Sequence, residues 1–265
     1  MGEFDRIVVT GDLFDNPKRA DALVFENCRT LLEVKTGKKL IIVPGNHDER
    51  LYGNIVAGLG QDLSALVNLE WSSVIVDDDI KCIFYCFDSA LEKENFARCR
   101  VGVSQMKDVA KLFEKEAAIK PDIRDYEAVA LVHHHPYPFN GYEETKLQSV
   151  LKTFGLAEKS VDSMIDTETL MEWCAGRRVS LMLHGHKHFP RHVEKTVNWN
   201  RGGKTDTRAI TAIGCGTSLG AEGLSLSYNV VEWSPSTRKW TVSFFAALPS
   251  GTEFEEVHVA VHSAS

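Results

Sequence analysis

RIVVTGD at residues 6–12 and KLIIVPGNHD at residues 39–48 are built alike. Each opens with a short unbroken run of aliphatic, mostly β-branched residues, which predicts a parallel strand buried on both faces. Each run is stopped by glycine, and side chains able to bind a metal follow directly: Asp12 in one case, Asn46, His47 and Asp48 in the other. Between the two runs, Asn16-Pro17 is a helix start, Ala22, Phe25, Leu31 and Leu32 supply an apolar face, and Gly37 closes the helix. The unit is a βαβ crossover whose polar groups gather where the strands end, the edge at which open α/β sheets bind ligands.

The alternation continues outward. Strands are expected at WSSVIV (71–76), CIFYCF (82–87), AVALVH (128–133) and VSLMLHG (179–185), with helices from about Ser104 to Lys120, stopped by Pro121, and from Thr167 to Ala175. From about Ala209 the pattern turns to strand after strand: AITAIG, SYNVVEW, KWTVSFFA and EEVHVAV. This predicts an α/β (α+β) fold of two packed mixed β-sheets flanked by helices, the late strands completing the second sheet. No linker or repeat divides the chain, so residues 1–265 are expected to form a single domain.

Composition narrows the function classes. Of the 265 residues, 43% are hydrophobic and 25% charged, which suits a packed soluble enzyme. A net charge of −7, from 37 acidic against 30 basic side chains, disfavours non-specific nucleic-acid binding, because the surface repels a phosphate backbone. Small phosphorylated substrates stay open, since a metal centre supplies a local positive field. The six cysteines never form a Cys-x-x-Cys pair, so they are read as reduced core residues and the protein as cytoplasmic. No signal-peptide core and no apolar run of about 20 residues is present, so no membrane segment is expected. Nothing in the sequence sets an oligomeric state.

Two further clusters stand at strand ends: His133-His134-His135-Pro136 and Gly185-His186-Lys187-His188. Imidazole, carboxylate and amide oxygen together suit Mn²⁺, Fe or Zn²⁺, and one carboxylate can bridge two such ions. Read alone, Asp12 could equally cap a helix and Gly45-Asn46-His47-Asp48 could be an ordinary turn. Strand alternation would send His134 to the opposite face from His133 and His135.

Taken in order, Gly-Asp, Gly-Asn-His-Asp, His-His-Pro and Gly-His-x-His resemble the motifs of the calcineurin-like metallophosphoesterase superfamily, nearest its cyclic-nucleotide phosphodiesterase-like branch, over residues 6 to about 245. The resemblance implies a four-layer sandwich and hydrolysis of phosphoesters by water that two divalent ions acidify. It makes Asp12 the bridging carboxylate and assigns Asn46, His134 and His186 to one metal. His188 belongs to the other. His134 follows from alignment on the His-x-Pro pattern, leaving His133, His135 and His184 as packing or supporting groups. Asn46 and His47 would meet the substrate phosphate, His47 would protonate the leaving oxygen, and Asp48 would orient His47. Asp15 would cap or support its loop.

Relatives also carry an Asp-x-His motif on an earlier strand, and no equivalent stands before Asp12. The expectation is an N-terminally truncated domain lacking its first strand, with one complete metal site and one broken one. The leading function is a phosphodiesterase or phosphatase acting on a small phosphoester or nucleotide. The alternative is a non-catalytic interaction module with a degenerate metal site. Tyr137, Phe139 and Tyr142, and also Tyr52, could stack on a nucleobase or simply pack a loop. A protein Ser/Thr phosphatase is disfavoured because Leu13-Phe14-Asp15 replaces the Val-Asp-Arg-Gly continuation such relatives use.

Overall fold

The strand Glu127–Val132 (β5) is buried along nearly its whole length because both its faces are covered. In the computed structural model, which describes residues 4–14, 19–49, 71–90, 99–137, 164–188, 190–217, 225–248, 251 and 253–264, β5 lies inside a six-stranded mixed sheet. Its parallel neighbours are Cys82–Phe87 (β4) and Val179–His184 (β6). Val74–Asp77 (β3) pairs antiparallel with β4, and Lys204–Gly214 (β8) pairs parallel with β6. Arg191–Arg201 (β7) closes the other edge, antiparallel to β8.

Alternation divides the apolar runs between two cores. Ile83, Tyr85 and Phe87 of β4 and Ala128, Ala130 and Val132 of β5 face the helices Val103–Ile119 (α3) and Thr167–Gly176 (α4). Helix α3 forms because Met106, Val109, Phe113 and Ala117 recur at helical spacing and are buried on that face. Pro121 then ends it and opens a short 3₁₀ turn, Pro121–Asp125.

The opposite residues, Cys82, Phe84, Cys86, Val129 and Leu131, meet a second layer. That layer is in two pieces among the described residues. One is the parallel pair Ile7–Val9 (β1) and Leu40–Ile42 (β2), joined by helix Arg19–Thr36 (α1). The other is an antiparallel sheet of Ser227–Ser234 (β9), Lys239–Ala247 (β10) and Phe254–Ser263 (β11), with β10 central. Trp240, Val242 and Phe244 of β10 point into the core, and the Trp240 indole N–H donates to Ser180 Oγ at 2.9 Å. Sheets flanked by helices in a mixed α/β fold are as expected.

Two expectations need correction. The switch to consecutive strands begins at Arg191, not near Ala209, because β7 and β8 form a hairpin around Gly202-Gly203, both with positive φ (57° and 81°). That Gly-Gly pair between alternating residues is a two-residue hairpin signal readable in the sequence. The apolar face assigned to α1 is only partly buried, with Leu31 52% and Leu32 41% exposed. No helix among the described residues is long and apolar enough to cross a membrane. Asp15, Asn16, Pro17, Tyr52, Phe139 and Tyr142 lie outside the described residues.

Candidate metal centre

Parallel pairing puts the carboxyl ends of β4, β5 and β6 at one edge and those of β1 and β2 at another. The two edges meet. The ladder between β5 and β6 runs one step past the strands through Gly185 N–H to His133 O at 2.9 Å. From the other layer, the Thr10 carbonyl accepts a hydrogen bond from His133 Nδ1 at 2.7 Å. The approach is too close for side chains at the motif glycines. A Cβ at Gly11, whose φ is +89°, would lie 2.5 Å from His133 Nδ1, and one at Gly45 would lie 2.3 Å from both the backbone N and Oδ1 of Asp12.

His133 occupies the middle of this junction. Its Nε2 stands 3.1 Å from Asp12 Oδ2 and 3.1 Å from Asn46 Oδ1, as the amide is placed. A carbonyl can only accept, so Nδ1 carries the proton that reaches Thr10. In the neutral ring, Nε2 then faces two oxygens with a lone pair of its own. Burial favours that neutral form, but the Asp12 charge, its hydrogen bond and the Thr10 carbonyl together raise the affinity of His133 for a second proton. A divalent cation answers the same need.

His134 and His186 complete a cluster. One ligand atom from each of His133, His134 and His186 falls within 4.8 Å of the others, and the His134 and His186 ring centroids are 4.4 Å apart. His134 Nε2 and His186 Nδ1 are buried with no hydrogen-bond partner among the described residues. Burial first, and then repulsion from neighbouring imidazoles, push both rings well below the usual histidine pKa, so they stay unprotonated. That is the form a ligand needs. His135 stacks on His186 at 5.8 Å, and burial drives its pKa down to about 2.

Strain marks the same positions. Asp12, His186 and His188 have φ of 55°, 72° and 55°, a left-handed backbone that costs a non-glycine residue about 1–3 kcal/mol. Such residues persist where the surroundings over-determine them, and they concentrate at functional sites.

The other assigned residues divide. Asn46 is buried and in the cluster. His188 is partly buried and falls outside the group of three close histidines. The side chain of His47 lies outside the described residues; its backbone belongs to the short helix Asn46–Glu49 (α2). Among the described residues Asp48 holds the loop junction, and its expected contact with the His47 imidazole lies outside them. Its oxygens accept the Phe14 N–H at 3.0 Å and the Gly45 N–H at 2.8 Å, tying the β1 loop to the β2 loop. Burial, opposed by the Gly45 N–H, raises its pKa to about 6.

The alternation argument for the histidines is overturned. Strand β5 stops at Val132 and the chain bends at 133–134, so period-two alternation no longer applies and both rings turn to the cluster. His133, expected as a packing or supporting group, stands at the centre of the cluster. Its signal was its place, one residue past the last apolar strand position.

A divalent ion fits this donor set. Bonds of about 2.0–2.2 Å to nitrogen and oxygen place neighbouring donors about 3.0–3.4 Å apart, which matches the 3.1 Å spacings around His133 Nε2. Imidazole with carboxylate and amide oxygen is the chemistry of Mn, Fe and Zn sites.

No curated protein matches the chain. Among solved structures, a single mutant of Vps29 from Entamoeba histolytica is similar with TM-score 0.36 and 12% identity, over 97% of this chain and 83% of that one. Phosphopantetheinyl Hydrolase (PptH) from Mycobacterium tuberculosis is similar with TM-score 0.30 and 13% identity, over 81% of this chain and 80% of that one. The family model described as calcineurin-like phosphoesterase matches residues 2–190, well over half the chain and every motif at the cluster. The chain belongs to the calcineurin-like phosphoesterase family.

Proposed function

We propose that this chain is a metal-dependent phosphoesterase, a phosphodiesterase or phosphatase acting on a small phosphorylated or nucleotide substrate. The observation that carries the proposal is the convergence of Asp12, Asn46, His133, His134 and His186, with ligand atoms turned toward one another and two ring nitrogens left without protein partners among the described residues. Mn, Fe or Zn ions held by these residues, with His188 beside them, supply Lewis acidity toward phosphoryl oxygen and water. Asp12 brings the negative charge that holds the cation. His133 is aimed by the Thr10 carbonyl, and Asp48 keeps the two loops in register. His47 is the proton donor to the leaving oxygen, as its place in the Gly-Asn-His-Asp motif implies. The net charge of −7 supports a small substrate over a nucleic acid. Six free cysteines, four of them buried, support a reducing compartment such as the cytoplasm.

The test pairs metal content with turnover. The purified chain is assayed on an aryl phosphodiester and an aryl phosphomonoester with Mn²⁺, alongside His47→Ala and His134→Ala. Metal-dependent turnover is expected, lost in His47→Ala with the metal retained, and lost together with metal in His134→Ala. A chain that binds metal yet turns over neither ester would leave a non-catalytic interaction module as the function.

A further inference from the structure

We infer that the cleft between α3 and α4, at the end of the sheet away from the metal centre, binds a small carboxylate with a flat aromatic body. Arg177 takes the anion, Tyr85 donates a hydrogen bond to it, and aromatic side chains hold the ring. The cleft shares no residue with the metal centre, and the inference does not rest on the function proposed above.

Topology places the cleft. Ile83 and Ala128 are the second residues of β4 and β5, and Arg177 and Arg178 directly precede β6. It therefore lies at the amino ends of the strands whose carboxyl ends carry the histidines. Its volume of about 720 Å³ falls in the range that takes a small organic ligand. Tyr85 forms the floor: it is 1% exposed, and Phe113 and Trp173 meet its ring edge to face at 5.7 and 5.2 Å. Trp199 of β7 lines the cleft as well, so its apolar surface is made mainly of rings, which suits a flat body.

Two polar groups in the cleft lack a protein partner. The Arg177 guanidinium lies over the Trp173 ring at 4.1 Å, a cation–π contact that fixes its orientation. It is partly buried, which lowers its pKa, and no side-chain hydrogen bond or ion pair answers it among the described residues. The Tyr85 hydroxyl has no hydrogen-bond partner among the described residues either; burial raises its pKa, and the Arg177 charge opposes that rise. Burying such groups unanswered is costly, and one carboxylate accepts from both, with the planar guanidinium able to donate through two N–H groups at once.

The surrounding charges limit the ligand to a single negative charge. Arg124 is engaged by Glu114 at 2.5 Å, and Arg178 donates to the Arg124 carbonyl at 3.1 Å. Asp125 and Glu172 stand exposed at the rim, where they repel a second negative charge. A carboxylate is favoured over a phosphate dianion on that ground.

The experiment is calorimetric titration of the full chain with naphthoate, and with naphthamide as its neutral isostere. Naphthoate should bind one to one with a Kd below about 1 mM, and naphthamide at least about tenfold more weakly. Arg177→Gln should weaken naphthoate by at least about tenfold and leave naphthamide nearly unchanged, while Tyr85→Phe, which removes only the hydroxyl, should weaken naphthoate by about threefold. His134→Ala should bind naphthoate as the wild type does. Absence of naphthoate binding, equal affinity for the two probes, or an Arg177→Gln variant with wild-type affinity overturns the inference. So does loss of binding in His134→Ala, which would put the probe at the metal centre. The comparison of the two probes on the wild type decides the charge requirement even if Arg177→Gln fails to fold.

Discussion

Gly45→Ala tests whether the two layers meet where the structure places them. A Cβ there would stand 2.3 Å from both the backbone N and Oδ1 of Asp12 and 3.1 Å from its Cγ. Carbon contacts settle near about 3.5–4.0 Å, so the two loops must part by about 1 Å or more. A new Asp12 rotamer cannot relieve the overlap, because half of it falls on the main chain. Overpacking of this kind costs about 1–3 kcal/mol, and each kcal/mol lowers Tm by about 2–4 °C in a chain of this size. The same displacement carries Asp12 Oδ2 away from His133 Nε2, now 3.1 Å distant, so metal affinity should fall at least about tenfold, equivalent to about 1.4 kcal/mol. Thermal unfolding by circular dichroism and calorimetric titration with Mn²⁺ measure the two effects. Gly176→Ala is the control, since its Cβ would meet only the Trp199 ring at 3.4 Å, an ordinary contact, and should leave Tm unchanged or slightly higher. A Gly45→Ala variant with wild-type Tm and wild-type affinity would refute the packing described for this junction.

Three further outcomes are expected. Asp48→Ala strands the buried N–H groups of Phe14 and Gly45 at about 1–3 kcal/mol each, read as a lower urea midpoint; Asp48→Asn, which keeps one acceptor oxygen, should lose less. Treatment with a chelator should lower Tm in the wild type but not in His134→Ala, because metal at a hundredfold its Kd stabilises the folded state by about 2.7 kcal/mol; an identical response in both would exclude His134 as a ligand. Trp240→Phe removes the indole donor to Ser180 Oγ and should cost about 1 kcal/mol, with faster amide exchange concentrated in β9–β11; uniform exchange would mean this bond does not pin the layers.

The strand runs and the four motifs were legible because they are local. Uninterrupted apolar runs at 82–87 (CIFYCF) and 128–132 (AVALV) read as strands covered on both faces, and the structure covers them with α3 and α4 on one side and the second layer on the other. The motif glycines were legible as punctuation, while their steric reason, Asp12 pressed against Gly45, belongs to two segments more than thirty residues apart. Ser89, whose Oγ lies 2.7 Å from His134 Nδ1, carried no signal at all, since a lone serine after an apolar run has no motif; only the β4–β5 register sets it against His134.

The sequence by itself therefore determined the elements, the kinds of ligand and the strand ends that bear them. Tertiary structure decided which atoms meet. His133 became central because β5 ends before it and the Thr10 carbonyl, arriving from the other layer, captures its Nδ1 and turns Nε2 toward Asp12 and Asn46. Side-chain type is written residue by residue, but the aim of a side chain beyond a strand's end is set by hydrogen bonds from distant segments, which no local pattern encodes.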